Sequence, residues 1–343
     1  MKQVLTMIAL SIGIGVLAIT AICPEFCHAA GEGSGSATVV RSIFVNQNGG
    51  ADFTSIQKAI NSVPFGNNQW IRIHVAAGVY KEKVSIPMNK SFIMLEGEGR
   101  QQTSIEWADF AGGGDSGTAD SPTFASYAPD FIARDITFKN TYGVASGRMA
   151  PAVAALVAGD RSSFYRCGFV GVQDTLSDLL GRHYYEGCYI EGAVDFIFGE
   201  GQSIFHGCDI WAASPVARAS RGAPGYITAQ GRSSAADASG FVFRSCTVGG
   251  AAPAYLGRAW RGYARVVFYQ SDLSAAVVSL GWDAWGYKGK EETLEMVEEG
   301  CTGPGANRTG RVAWEKTLSD AELGKLVDIS YVSHDGWLAV QPR

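Results

Sequence analysis

Three cysteines, Cys167, Cys188 and Cys208, recur in near-equal steps of 21 and then 20 along the chain, inside matching β-rich segments. Phe164-Tyr165-Arg166-Cys167-Gly168-Phe169 is followed by Tyr185-Glu186-Gly187-Cys188-Tyr189-Ile190, and then by Phe205-His206-Gly207-Cys208-Asp209-Ile210. Looser copies run from Phe131 to Ile136, from Phe243 to Val248 around Cys246, and from Tyr269 to Leu273; with Asp135 and Asp272 at the cysteine position, the successive steps are 32, 21, 20, 38 and 26. A short strand unit that returns at such intervals, with variable connections and no long helices between, marks a solenoid in which each turn buries its apolar face against the next. The fold expected is therefore all-β, a parallel β-helix. An antiparallel β-sandwich would require Asn-Gly or Asp-Gly hairpin turns at short intervals, and these runs lack them. Equivalent residues in a parallel stack lie about 4.8 Å apart. That spacing is open both to disulfides between adjacent rungs and to a buried ladder of reduced thiols.

The composition agrees with a coil of many corners. There are 43 glycines against 11 prolines with no three-residue period, which excludes collagen and favours tight turns. Hydrophobic residues at 46% and charged residues at 18% can sustain a large core. The net charge, 28 − 33 = −5, offers no basic face for nucleic acid. Lys2, the uncharged and mostly apolar run Val4–Ile22, and the small residues around Cys27-His28-Ala29 read as a secretory signal peptide over residues 1–30. A retained membrane anchor is the alternative, since that run nearly suffices to span a bilayer. Removal would take away Cys23 and Cys27 and leave five cysteines, Cys167, Cys188, Cys208, Cys246 and Cys301, an odd number for pairing. With no CxxC pair and scattered histidines, no metal site is expected. Asn89-Lys90-Ser91 and Asn307-Arg308-Thr309 are glycosylation acceptors on a secretory route. One domain is expected over residues 38–343, with Gly112–Gly117 as a loop. Capping boxes at Thr54-Ser55-Ile56-Gln57 and Ser319-Asp320-Ala321-Glu322 would open short helices that close its two ends.

Two carboxylates stand out against this background. Asp174 lies in Val172-Gln173-Asp174-Thr175-Leu176, and Asp195 in Gly192-Ala193-Val194-Asp195-Phe196-Ile197-Phe198-Gly199. The step from Asp174 to Asp195 equals the step from Cys167 to Cys188, so a coil would put the two acids in equivalent places on adjacent rungs. Two such carboxylates cannot both ionise freely, and one of them should hold its proton. Asp195 also sits among Val194, Phe196, Ile197 and Phe198, where a charge is costly unless paired. One acid kept protonated beside one kept anionic is an arrangement that serves acid–base chemistry. Arg258, in Tyr255-Leu256-Gly257-Arg258-Ala259-Trp260, is the candidate partner for a buried carboxylate, and Trp260 offers an apolar face to a sugar ring. The plainer alternatives are a turn aspartate at Asp174 and a surface arginine over a core tryptophan.

Gln173-Asp174-Thr175-Leu176, the Asp195 block and Leu256-Gly257-Arg258-Ala259-Trp260 resemble the three signature blocks of plant pectin methylesterases (pectinesterases). Gly78-Val79-Tyr80-Lys81-Glu82 and Phe131–Phe138 resemble that family too, and the matches run in order from about residue 40 to 340. The resemblance implies a right-handed parallel β-helix, secretion to the cell wall, and hydrolysis of the methyl esters of homogalacturonan to pectate and methanol. It implies no cofactor or metal, a monomer, a proteinaceous pectinesterase inhibitor as partner, and the short form without an inhibitor-like pro-region. Carried over residue by residue, Asp195 would be the nucleophile and Asp174 the general acid and base. Gln173 would donate to the oxyanion, Arg258 would hold Asp195 and help position substrate, Trp260 would line the sugar cleft, and Thr118 would touch substrate.

Two positions depart from the family pattern. Pro151 stands where a second oxyanion glutamine is usual, and proline has neither a side-chain donor nor an N–H. Ser177 follows Gln-Asp-Thr-Leu where tyrosine is common. With nucleophile, acid and arginine intact, a differently built oxyanion hole is expected. The competing reading is a catalytically weak pectin-binding β-helix. A polysaccharide lyase is more distant, because it would need a Ca²⁺-binding carboxylate cluster and none is evident.

Overall fold

The structure, a computed structural model, describes residues 36–112, 117–214 and 223–342. The expected leader and most of the Gly112–Gly117 loop lie outside the described residues. Among the described residues, short strands stack into three sheets of ten, eight and eight strands, and in each sheet the strands follow chain order. Neighbours pair in parallel: Ser162–Tyr165 with Arg182–Glu186, and that strand with Gln202–His206. Parallel neighbours need a crossover, and here the other two sheets supply it. The chain therefore winds as a parallel β-helix, each coil forming one rung.

A single backbone device explains the cysteine repeat. At the corner between the first and second sheets, Asp135, Arg166, Gly187, Gly207, Ser245, Gln270 and Gly300 all have φ between 49° and 64°. This left-handed conformation turns the chain sharply and is cheapest for glycine. The next residue points into the coil: Cys167, Cys188, Cys208 and Cys246 are buried, with Ser271 in the same place one rung on. No disulfide joins them. Thiols instead donate to carbonyls one rung back, Cys188 to Phe164 at 3.4 Å, Cys246 to Phe205 at 3.3 Å and Cys301 to Phe268 at 3.4 Å. Of the two arrangements the sequence left open, the reduced ladder is the one present.

Burial pushes the Cys167 and Cys208 thiols well above their ordinary range, and that of Cys301 up to about 11. Such thiols are poor nucleophiles. In protein lacking residues 1–30, a thiol reagent should leave the four buried cysteines unlabelled in native buffer and label all five after unfolding without reductant. A count of three in the unfolded chain would mean that one pair is oxidised.

Inside the first sheet the rungs are joined by a column of rings. Phe164, Tyr185, Phe205, Phe243 and Phe268 stack nearly parallel with centroids 4.9, 4.5, 4.6 and 4.4 Å apart. These distances match the strand spacing, so each ring lies flat on its equivalent. The column corrects the two outermost alignments of the repeat. Phe164 pairs with Ala133, and Phe243 pairs with Phe268 and not with Tyr269. Each of those two steps is therefore one shorter than the sequence repeat suggested. The left-handed corner residue sets the register, and an aromatic nearby in sequence is a weaker marker of it.

Helix α1 (Ile56–Ser62) closes the first rungs, packing Ile56, Ala59 and Ile60 into the main core with Ile43, Val45 and Ile73. Its cap lies one residue later than expected. Ser55, not Thr54, accepts the Lys58 N–H. Glu82 from a neighbouring segment takes the free Ile56 and Gln57 N–H groups at 2.9 and 3.1 Å, fixing the start there. A short helix α2 (Tyr142–Ser146) follows a second-sheet strand. Helix α3 (Asp320–Val327) has the expected capping box between Ser319 and Glu322. It does not close the far end. With α4 (Ser330–Ser333) it covers the outer face of the first sheet, where Leu323, Tyr331, Val332 and Trp337 bury Tyr184, Ile204, Val242, Val267 and Val297. Those five sheet residues are apolar on the face turned away from the coil interior, and this stripe is what the helices cover. Val312 and Trp314 pack against the far end of the main core instead.

Candidate active site

On the third sheet, Leu176–Asp178 pairs with Val194–Gly199, Leu176 opposite Ile197. Just upstream, Gln173 forms a parallel bridge with Val194. Asp174 and Asp195 therefore lie one above the other on adjacent rungs. Both take left-handed backbone, φ 61° and 48°, which aspartate tolerates better than most residues. On its other side the Asp195 strand pairs with Gly225–Gln230, and the register slips between Val194 and Ile197. Asp195 thus sits in a bulge, a feature that turns a side chain out of the sheet's regular alternation.

Arg258, in the strand Ala254–Ala259, closes on Asp195 in a fork. Its Nε donates to Oδ1 at 2.7 Å and its Nη2 to Oδ2 at 2.5 Å. Asp195 is only 8% exposed, and burial raises its carboxyl above the usual range while the guanidinium opposes the rise. Asp174 is pushed well above that range, by burial first and by the Asp195 charge second, with Arg258 again opposing. The two carboxyls are thereby set apart: Asp195 has a cation bonded to it, and Asp174 has an anion beside it. Of the two, Asp174 is the one whose environment favours the protonated form more.

The other sequence candidates border this pair. Gln173 is partly exposed, and its carbonyl accepts the Ala152 N–H at 3.1 Å, so Pro151 lies on the neighbouring rung just upstream of that bond. The Pro151 carbonyl accepts the Ala111 N–H at 2.8 Å. Ser177 is buried, in register between Leu156 and Phe198. Trp260 stands beyond the Arg258 strand and meets Phe198 edge to face at 6.2 Å. Thr118 is further off, in a 3₁₀ turn (Thr118–Asp120) tied through Ser121 to Val153. Ala119 of that turn packs with Val153, Leu156 and Phe198, which places the turn on the outer face of the third sheet.

Three neighbours of Arg258 escaped the sequence reading. Its guanidinium carbon lies 4.2 Å from the Tyr226 ring centre and 3.8 Å from that of Trp285. Asp283 joins them, accepting from the Tyr226 hydroxyl at 3.0 Å and from the Trp285 backbone N–H at 2.9 Å. A signal existed: Trp282-Asp283-Ala284-Trp285 falls one rung after Gly257-Arg258, and Arg258 pairs with Asp283.

A second constellation, Asp178, His183 and Ser203, has hydrolase-like residue types but is wholly buried. Ser203 donates to Asp178 at 2.8 Å, and the His183 ring nitrogens face Asp178 and the Gly159 carbonyl. Sealed and mutually satisfied, it pins the rungs under the site. Among the described residues no three His, Cys, Asp or Glu side chains gather as metal ligands, and no helix is long and apolar enough to cross a membrane.

The pectinesterase family model matches residues 42–332. "Probable pectinesterase 29" of Arabidopsis thaliana is 46% identical over 336 residues, covering 96% of this chain and 97% of that protein. The solved pectin methylesterase from carrot superposes with a TM-score of 0.81 at 34% identity, over 90% of this chain and 99% of its own. A solved pectin methylesterase in complex with a hexasaccharide gives 0.74 at 26% identity, over 88% and 98%. Sequence relatives spanning nearly the full length and a shared coil agree: the chain belongs to the pectinesterase family, and it is an esterase.

Proposed function

We propose that the chain is an aspartyl esterase that removes methyl groups from homogalacturonan, leaving pectate and methanol. The observation that carries the reading is the Arg258 fork on buried Asp195 with Asp174 one rung away, its carboxyl pushed up by burial and by the Asp195 charge. An Asp195 oxygen attacks the C6 carbonyl, and the carbonyl electrons pass to an oxyanion that the Gln173 amide stabilises. As the oxyanion collapses, the bond to the methoxy oxygen breaks, Asp174 gives it a proton, and methanol leaves an acyl anhydride on Asp195. Water then attacks the anhydride and gives its proton to Asp174, and Asp195 is released as carboxylate. Arg258 keeps Asp195 anionic before attack, and Trp260 and Thr118 border the sugar. The substrate class is supported by the hexasaccharide complex of the solved relative.

We further propose residues 1–30 as a secretory signal, 38–343 as the catalytic domain, the cell wall as its place of action, and glycans on the exposed Asn89 and Asn307. The enzyme would work as a monomer, open to a proteinaceous inhibitor. Methanol release from highly esterified pectin, with and without chelator, tests the activity. No release with retained pectin binding would favour the weak binder, and chelator-sensitive chain cleavage a lyase.

Pro151 is the observation behind the weak-binder reading. If Gln173 were the lone oxyanion donor, Pro151→Gln should raise kcat by about 10²- to 10³-fold with KM little changed. The expected outcome is an unchanged kcat and melting temperature, because the Pro151 backbone is already bonded in place and the rest of the catalytic set is intact. A large rise would identify a missing donor.

A further inference from the structure

Arg258 is ordered beyond the needs of one ion pair. Its guanidinium carbon lies over the Tyr226 ring from the rung before and over the Trp285 ring that follows the rung after. One carboxylate, Asp283, serves both: its Oδ2 accepts from the Tyr226 hydroxyl, and its Oδ1 accepts from the backbone N–H of Trp285, fixing the turn that carries that ring. Tyr255 backs Tyr226 with its ring parallel at 5.2 Å. Trp285 takes φ 49°, a conformation costly for a bulky residue, immediately next to this contact. We infer that Asp283, acting through Tyr226 and Trp285, is a positioning residue that fixes the guanidinium of Arg258 coplanar with the Asp195 carboxylate. The inference rests on Asp195 being the nucleophile.

Two parallel N–H···O bonds require the fork and the carboxylate to share a plane. Loosening the two aromatic plates lets the guanidinium tilt and leaves one carboxylate oxygen unpaired. Burial then acts on Asp195 with less opposition, and its carboxyl rises further. The charged and titratable groups facing Arg258 are Asp195, Asp174, Tyr226 and Asp283. Tyr226 is pushed up to about 12 by burial and by Asp283, so its hydroxyl remains a donor throughout an ordinary assay range.

The test compares wild type, Asp283→Ala and Tyr226→Phe by methanol release from esterified pectin across pH, with melting measured on each. Tyr226→Phe keeps the ring and the Asp283 charge and removes only the hydroxyl bond, so it guards against a misfolded alanine variant. Asp283→Ala should lower kcat about tenfold, the scale of one lost hydrogen bond, with KM changed less than about threefold. The acid limb of kcat/KM should move to higher pH in both variants, further in Asp283→Ala. Electrostatics alone gives the opposite sign, since deleting an anion near Asp195 would move that limb to lower pH. An acid limb that stays put or moves down, or a loss confined to KM, overturns the inference. A wild type without methanol release would instead sink the proposed function.

Discussion

Asp195→Ala should abolish methanol release, by on the order of 10⁴-fold or more, the loss typical of removing a covalent nucleophile. The fold should survive. Asp195 occupies a bulge whose register break is set by the backbone, and Arg258 would still be held between Tyr226 and Trp285. The Arg258 side chain is also 17% exposed, so water can reach the abandoned guanidinium. Asp195→Asn should be nearly as damaging, because an amide is a poor nucleophile and presents N–H groups to a donor. Well-folded Asp195→Ala protein retaining more than a few per cent of wild-type turnover would end the assignment.

Asp174→Ala should lose about 10²- to 10⁴-fold in kcat, the usual worth of a placed proton donor, with substrate affinity largely kept. The pH profile gives an independent reading. Attack needs Asp195 ionised and departure of methanol needs Asp174 protonated. Activity should therefore fall on the acid side as Asp195 gains its proton and on the alkaline side as Asp174 loses its own. Both carboxyls lie above the ordinary aspartate value of about 3.9, Asp174 by more. The bell should accordingly be displaced upward, and its two limbs report the pair jointly. A flat profile from pH 4 to 9 would be incompatible with a coupled pair, and loss of the alkaline limb in Asp174→Ala is the accompanying expectation.

Repetition made the coil legible. A left-handed corner followed by an inward small residue leaves a mark in sequence, as at Gly187-Cys188 and Gly207-Cys208, and the same rung step carried over to Asp174 and Asp195. Where the corner residue was Asp135 or Gln270, the mark faded and the register was read one residue wide. The Thr54 cap was misplaced because its deciding partner, Glu82, comes from another segment. Likewise the Arg258 fork was readable as a possibility from charge and burial, but the clamp around it was not. Tyr226 and Asp283 meet across 57 residues, and no local pattern announces such a contact. The outward apolar stripe Tyr184–Ile204–Val242–Val267 looked like ordinary strand sequence, so the destination of the C-terminal helices was missed.

Those helices have a consequence for how the molecule comes apart. A stack whose rungs touch only their neighbours can fray one rung at a time, its stability a sum of local parts. Here residues 318–342 run lengthwise over the first sheet like a strap. Leu323 and Tyr331 lie with the later rungs, and Gln341 accepts from Ser163 of an earlier one at 2.7 Å. The Pro342 carbonyl accepts from Arg134 at 2.6 Å, and that of Val340 takes the Ala37 N–H at 2.8 Å, reaching the segment just before the first rung. Distant rungs thereby share a partner, so losing one loosens the strap over the others. The strap converts a linear array into a cooperative unit, and the aspartate pair, midway along it, is protected from fraying at either end.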